Sequence, residues 1–180
     1  MIAIMFNTLT TRLSELAQHQ QHLAAGDILF RAGNPVRSLF LVEAGAITLS
    51  RSLLHGAPLT LQHARAGAIL AEASIFAESY HCDAAATEEA TVRVIPLRRL
   101  RAALLAQPDL SGAWIKYLAQ EVQRTRAHAE LLSLKTVAAR VDAWLALTDR
   151  PLPPRGQWHQ LAAELGVTPE ALYRELARRR

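Results

Sequence analysis

The sequence predicts an α+β chain: an antiparallel, jelly-roll-like β-roll followed by helices alone. Three observations carry this. Between residues 26 and 96, short apolar runs alternate with Gly and turn residues. After Pro96 the apolar spacing turns from two to three and four. Near the C-terminus, a glycine interrupts the helical spacing and a Thr-Pro-Glu run restarts it.

Residues 6–20 read as an amphipathic helix, because Phe6, Leu9, Leu13 and Leu16 recur on one face. The strand-length runs ILF, SLFLV, AITLS, PLTLQ, CDAAAT and TVRVI follow, giving six or seven strands. They are separated by Gly26-Asp27, Gly33-Asn34-Pro35, Ala44-Gly45, His55-Gly56 and Ala66-Gly67. Leu97, Leu100, Leu104 and Leu105 mark a short helix ending near Pro108.

Asp109 or Ser111 then suits the N-cap of a long helix. Its stripe is Trp114, Leu118, Val122, Thr125, Ala129 and Leu132, with Tyr117 and Glu121 beside it. That spacing is close to 3.5 residues, the period of a coiled-coil seam, and predicts a homodimer. Packing against the β-roll is the alternative use of the same stripe. A second helix over residues 134–147 carries Val137, Val141, Trp144, Leu145 and Leu147. The run DRPLPPRG is a loop, since three prolines and a glycine cannot continue a helix.

In QWHQLAAELGVTPEALYRELARRR, Leu161, Ala162 and Leu165 share a face, and Gly166 supplies a turn. Thr168 suits an N-cap, with Pro169 at the first helical position and Glu170 in the first turn. Leu172 and Leu176 return to the core. Helix, glycine turn and capped helix make a helix-turn-helix. In that motif the second helix enters the major groove by its N-terminus, so Thr168, Glu170, Ala171 and Arg174 face bases and phosphates. Arg174 suits a bidentate pair to guanine, and Glu170 can accept from a cytosine amine. Arg178, Arg179 and Arg180 suit phosphates, or else form a solvated terminal face.

The bulk properties fit. The 180 residues are 51% hydrophobic and carry a net charge of +4, which permits an anionic partner without requiring one. One cysteine, Cys82, excludes a disulfide framework and a four-thiolate cluster, and suits a reducing cytoplasm. The N-terminus lacks a basic region and a long apolar run, so no signal peptide or membrane span is expected. His55, His63 and His81 are scattered, with no His-x-His pair, which argues against a cupin-like metal enzyme. His63 and His81 read as structural histidines, and Cys82 as a small core residue. No cofactor and no metal site are expected.

The chain resembles the Crp–Fnr family of bacterial regulators over nearly all of residues 25–180. The matching segments are GDILFRAGNP, SLFLVEAGAITL, AEASIF with YHCDAAA, and LAAELGVTPEALYRELARR, in that order. The resemblance implies a sensor domain over 1–107, a dimerisation helix over 108–133 and a DNA-binding domain over 134–180. It implies a cytoplasmic transcription regulator, not an enzyme, bound as a homodimer to a palindromic promoter site in double-stranded DNA.

The implied effector pocket takes in Glu72, Ser74, Cys82, Asp83 and Thr125, for a small molecule of unknown identity. Cyclic-nucleotide-binding members have Gly-Glu-hydrophobic-Gly, then Arg-Ser or Arg-Thr. Here Ala71-Glu72-Ala73-Ser74 keeps the glutamate, while His81-Cys82-Asp83 lacks the arginine that pairs with the phosphate. An unpaired buried phosphate costs several kcal/mol, roughly, so cyclic AMP binding in the family manner is not expected. As haem ligands, His81 and Cys82 are excluded together, since neighbours on a strand face opposite ways.

The family's β-hairpin wing would begin where this sequence stops, at Arg180. The expectation is a reader without a wing, either natively or because the sequence is a piece. The alternative is a ligand-sensing or protein-interaction module with a vestigial DNA-binding domain.

Overall fold

The computed structural model describes residues 2–52, 58–148 and 151–179. They form two compact units, Met1–Ile115 and Lys116–Arg180. The first unit opens with α1 (Ile2–Glu15) and continues with β1 (His19–Leu23), β2 (Ile28–Phe30), β3 (Ser38–Ala44) and β4 (Ala46–Ser52). Next come β5 (Pro58–Arg65), β6 (Ile69–Leu70), β7 (Asp83–Ala86), β8 (Ala90–Pro96) and α2 (Leu97–Ala106). These strands make two four-stranded antiparallel sheets, ordered β1-β8-β3-β6 and β2-β7-β4-β5.

One apolar cluster draws on both sheets: Phe40, Val92 and Val94 from one, Phe30, Ile47 and Leu49 from the other. An aromatic stack sits within it. The Phe30 and Tyr80 rings are 4.1 Å apart, and the Tyr80 hydroxyl donates to the Ser38 carbonyl at 2.9 Å. The buried polar end therefore keeps its hydrogen bond. Leu9 and Leu13 of α1 are buried, as their spacing predicts, while the side chain of Phe6 lies outside the described residues.

Several boundaries differ from expectation. The N-terminal helix stops at Glu15, and His19–Leu23 is a strand. HQQHL has no apolar alternation to announce it. It is made by pairing with β8, His19 opposite Val94 through Leu23 opposite Ala90. Nor do Asp109 and Ser111 cap the long helix α3 (Pro108–Ser133). Pro108 suits the first helical position, the Gln107 carbonyl accepts from Ser111 N at 3.1 Å, and the Ser111 hydroxyl donates back to Leu104 O of α2. Finally, the proline loop closes in a 3-10 turn over Arg155–Gln157. Asp149, Arg150, His55 and Gly56 lie outside the described residues.

The second unit holds most of α3, then α4 (Val137–Thr148), α5 (Trp158–Glu164) and α6 (Pro169–Arg178). The second helix thus starts later than its apolar pattern suggests, because Thr136 Oγ1 accepts from Ala139 N at 3.1 Å and caps it. Leu131, Val141, Trp158, Leu161, Ala162, Leu165, Leu172 and Leu176 form this unit's core. Along α3, Trp114 leaves the expected seam, because it is buried on the same side as Leu110. Ile115 heads the exposed stripe instead, at 67% exposure, followed by Val122 at 48% and Leu132 at 38%.

The β3–β4 hairpin supplies a direct test of the roll. Gly45 has φ +76°, and a Cβ there would lie 2.1 Å from the Glu89 carbonyl oxygen and 2.6 Å from Ala90 Cα. Gly45→Ala is expected to lower stability by about 3 kcal/mol in denaturant titration. A loss below about 1 kcal/mol would show that the hairpin is not seated this closely.

Candidate functional site

The C-terminal hairpin is built by its turn. Gly166 takes φ +60°, and Val167 N donates back to Ala162 O at 3.0 Å, closing α5. Thr168 stays extended and its Oγ1 accepts from Ala171 N at 3.3 Å, opening α6, with Pro169 in the first turn. Leu172 and Leu176 point into the core. The other face presents Glu170, Arg174, Ala177 and Arg178, all exposed, with Ala171 half-buried at its edge and Thr168 exposed ahead of it. The five residues singled out in the sequence for DNA therefore come together on one surface. Arg174 and Arg178 enter no ion pair among the described residues.

Charge is distributed unevenly. From Lys116 to Arg180 there are eleven Lys and Arg against seven Asp and Glu. The first unit has nine of each, so the whole net charge of +4 resides in the unit that carries the hairpin.

Arg179 is not available as a phosphate contact of the kind its place in the sequence suggests. Its guanidinium donates to Asp142 at 2.5 Å, to Glu175 at 2.7 Å and to the Ala138 carbonyl at 3.0 Å. The bonds to Asp142 and then Glu175 raise its pKa further, so this cation is neutralised against α4. Arg180 lies outside the described residues.

Sequence reasoning missed Arg140. Its Nε donates to Leu134 O at 2.8 Å and its Nη2 to Leu132 O at 2.9 Å. Its Nη1 donates to Leu165 O at 2.8 Å and Gly166 O at 3.0 Å. One cation thus satisfies carbonyls at the C-terminal ends of two helices, α3 and α5, where unpaired carbonyls and partial negative charge collect. The available signal was an arginine inside the apolar stripe of Val137, Val141 and Trp144. Gly166 completes the joint, since a Cβ there would lie 2.8 Å from Leu132 Cδ2 and 3.3 Å from the guanidinium.

In the first unit, Ala71 has φ +69° and leads the single 3-10 turn Glu72–Ser74. Ser74 is 1% exposed, and its hydroxyl shares a 3.0 Å hydrogen bond with His81 Nδ1. Arg51 Nε donates to the His81 carbonyl at 3.1 Å. Glu72 is half-buried. Cys82 is buried in the roll's core while His81 is exposed, and burial pushes its thiol pKa up, with Arg51 opposing. Asp83 Oδ1 accepts from Ala32 N at 2.8 Å.

Glu72, Ser74, Cys82 and Asp83 thus stand on the 71–83 segment, but Thr125 is an exposed residue of α3 in the second unit. His63 Nδ1 shares a 2.8 Å hydrogen bond with Thr48 Oγ1. No three His, Cys, Asp or Glu side chains gather to hold a metal among the described residues.

Residues 20–107 match the cyclic nucleotide-binding domain family, which covers the double-sheet roll and α2. The chain is 28% identical over 145 residues to the transcriptional activator protein anr of Pseudomonas aeruginosa, covering 80% of this chain and 59% of that one. Its fold is that of FixK2 from Bradyrhizobium japonicum, with a TM-score of 0.73, 21% identity, and 89% and 83% of the two chains covered. It is also that of the catabolite activator protein of Thermus thermophilus, with a TM-score of 0.60, 24% identity, and 95% and 82% covered. The class is therefore a β-roll of the cyclic nucleotide-binding type joined to a helical unit. The chain is similar in sequence to regulators of the Crp–Fnr family and shares their fold. It spans less than two thirds of the length of the first curated relatives it matches.

Two variants test this geometry. Arg140→Gln is expected to destabilise the second unit by about 3 kcal/mol, because it strands carbonyls at two helix ends. Ala71→Gly is expected to raise stability by about 1 kcal/mol, relieving the left-handed backbone ahead of the Glu72–Ser74 turn. Chemical denaturation reads both. An unchanged midpoint for the first, or a fall for the second, would contradict these assignments.

Proposed function

We propose that this chain is a DNA-binding transcription regulator, working as a homodimer in the cytoplasm, and not an enzyme. The observation that carries the reading is the exposed face of α6, where Glu170, Arg174 and Arg178 stand on a Thr168-capped helix. A helix presented in this way suits the major groove, with Arg174 reading a guanine and Arg178 on the backbone. The concentration of positive charge in the same unit supports it.

Ile115, Leu118, Val122, Thr125, Ala129 and Leu132 alternate three- and four-residue steps along α3. Exposed Ile115, Val122 and Leu132 on that stripe support a parallel pairing of two chains. A two-fold pair would place two α6 helices on half-sites about 34 Å apart, hence a palindromic site.

The roll would then sense a small molecule other than cyclic AMP. The 71–83 segment supports this, since no arginine stands at 81–83 and Asp83 puts a carboxylate there. The signal would act by shifting the balance between arrangements of the paired helices.

Fluorescence anisotropy with a site selected from random duplexes tests the reading. Wild type is expected to bind with strong salt dependence. Arg174→Ala should cost about 1–3 kcal/mol on the selected site and relax the preference at one base pair. No salt-sensitive binding by the dimer would sink the proposal and leave a ligand-sensing or protein-interaction module.

A further inference from the structure

Arg155 is unlike the other exposed arginines near α6. It sits in the 3-10 turn before α5, and its guanidinium lies over the ring of Tyr173 of α6, 5.8 Å from the centroid. The ring beneath it is tied to its neighbours. Tyr173 also packs on Trp158, ring centroids 5.1 Å apart. The Trp158 indole N–H donates to the Pro153 carbonyl at 2.9 Å, and Gln157 N donates to Pro154 O at 2.8 Å. Pro153 and Pro154 restrict the backbone just before the arginine.

At helical spacing, Tyr173 borders Glu170 three residues before it and Ala177 four after it. Both are exposed residues of the face described above. Arg155 therefore stands at one edge of that face. The other edge belongs to Glu175 and Arg179, which are neutralised together with Asp142. A cation held over an aromatic ring uses none of its N–H donors for the contact. Among the described residues Arg155 enters no ion pair.

We propose that Arg155, seated on Tyr173, is a backbone anchor that grips a phosphate of duplex DNA beside the groove occupied by α6. The inference rests on the DNA-reading proposal and adds a contact from outside the recognition helix. Arg155 is exposed, and an exposed guanidinium suits the paired oxygens of a phosphodiester. Such a contact contributes affinity and orientation but carries no base information. Its position on one side makes the grip lopsided, opposite the neutral Asp142–Glu175–Arg179 edge.

The test is anisotropy with a mixed-sequence duplex of about 30 base pairs and with the selected site, across a salt series. Losing one phosphate contact should make the slope of log K against log salt shallower by about 0.9 and weaken binding about fivefold at 0.1 M salt. Arg155→Gln should do this equally on both duplexes, leaving base preference untouched. Tyr173→Leu should match it, Tyr173→Phe should bind as wild type, and the Arg155→Gln, Tyr173→Leu double variant should lose no more than either single one. Circular dichroism confirms that each variant is folded.

Wild-type slope and affinity in folded Arg155→Gln would overturn the anchor while DNA reading stands. A changed base preference would overturn it as well, making Arg155 a reader. Absence of salt-sensitive binding by wild type would overturn the DNA reading and the anchor together.

Discussion

Every use of α6 depends on where its hairpin is held, and the Arg140 guanidinium ties its turn to the end of α3. Arg140 bridges the last carbonyls of α3 to the turn that follows α5. Each bond is ordinary, but together they satisfy acceptors at two helix ends that otherwise need water or caps. Gly166 is required twice over. Its φ is positive, and a side chain there would displace Leu132 and the guanidinium. A rearrangement of α3 would therefore reach the hairpin through a joint with little slack. Trp144 adds a second tie, its indole N–H donating to Glu164 at 3.0 Å.

The β-roll shows the opposite economy. Its scaffold is two sheets and a shared aromatic core, while the 71–83 segment carries polar groups that are paired within the unit. Ala71 holds a left-handed backbone without being glycine. Ser74 is engaged by His81, and Asp83 by a backbone amide. Cys82 is a core residue whose thiol burial keeps protonated, unlike the exposed, low-pKa thiol a redox sensor needs.

Much of this was legible in the sequence because the signals were local. Leu161, Gly166, Thr168, Pro169 and Leu172 state a helix, a turn and a capped helix within a dozen residues. The strands of the roll were legible where apolar runs met glycine turns. What was not legible depended on distant partners. HQQHL is a strand only because β8 lies beside it. Arg179 looks like Arg178 in the sequence, yet Asp142 and Ala138 of another helix claim it. Arg140 and Arg155 carried no motif, because an arginine's role is set by which carbonyls or rings the fold brings to it. Trp114 and Ile115 are neighbours on one helix, and only burial shows which belongs to the exposed stripe.

Under the proposed function, the protein is a symmetric reader whose two recognition helices meet DNA together. Hydroxyl-radical footprinting on the selected duplex tests this most directly. The proposed dimer should leave two protected backbone patches related by a two-fold axis and centred about one helical turn, roughly 34 Å, apart. A single patch, or protection without dyad symmetry, would contradict it.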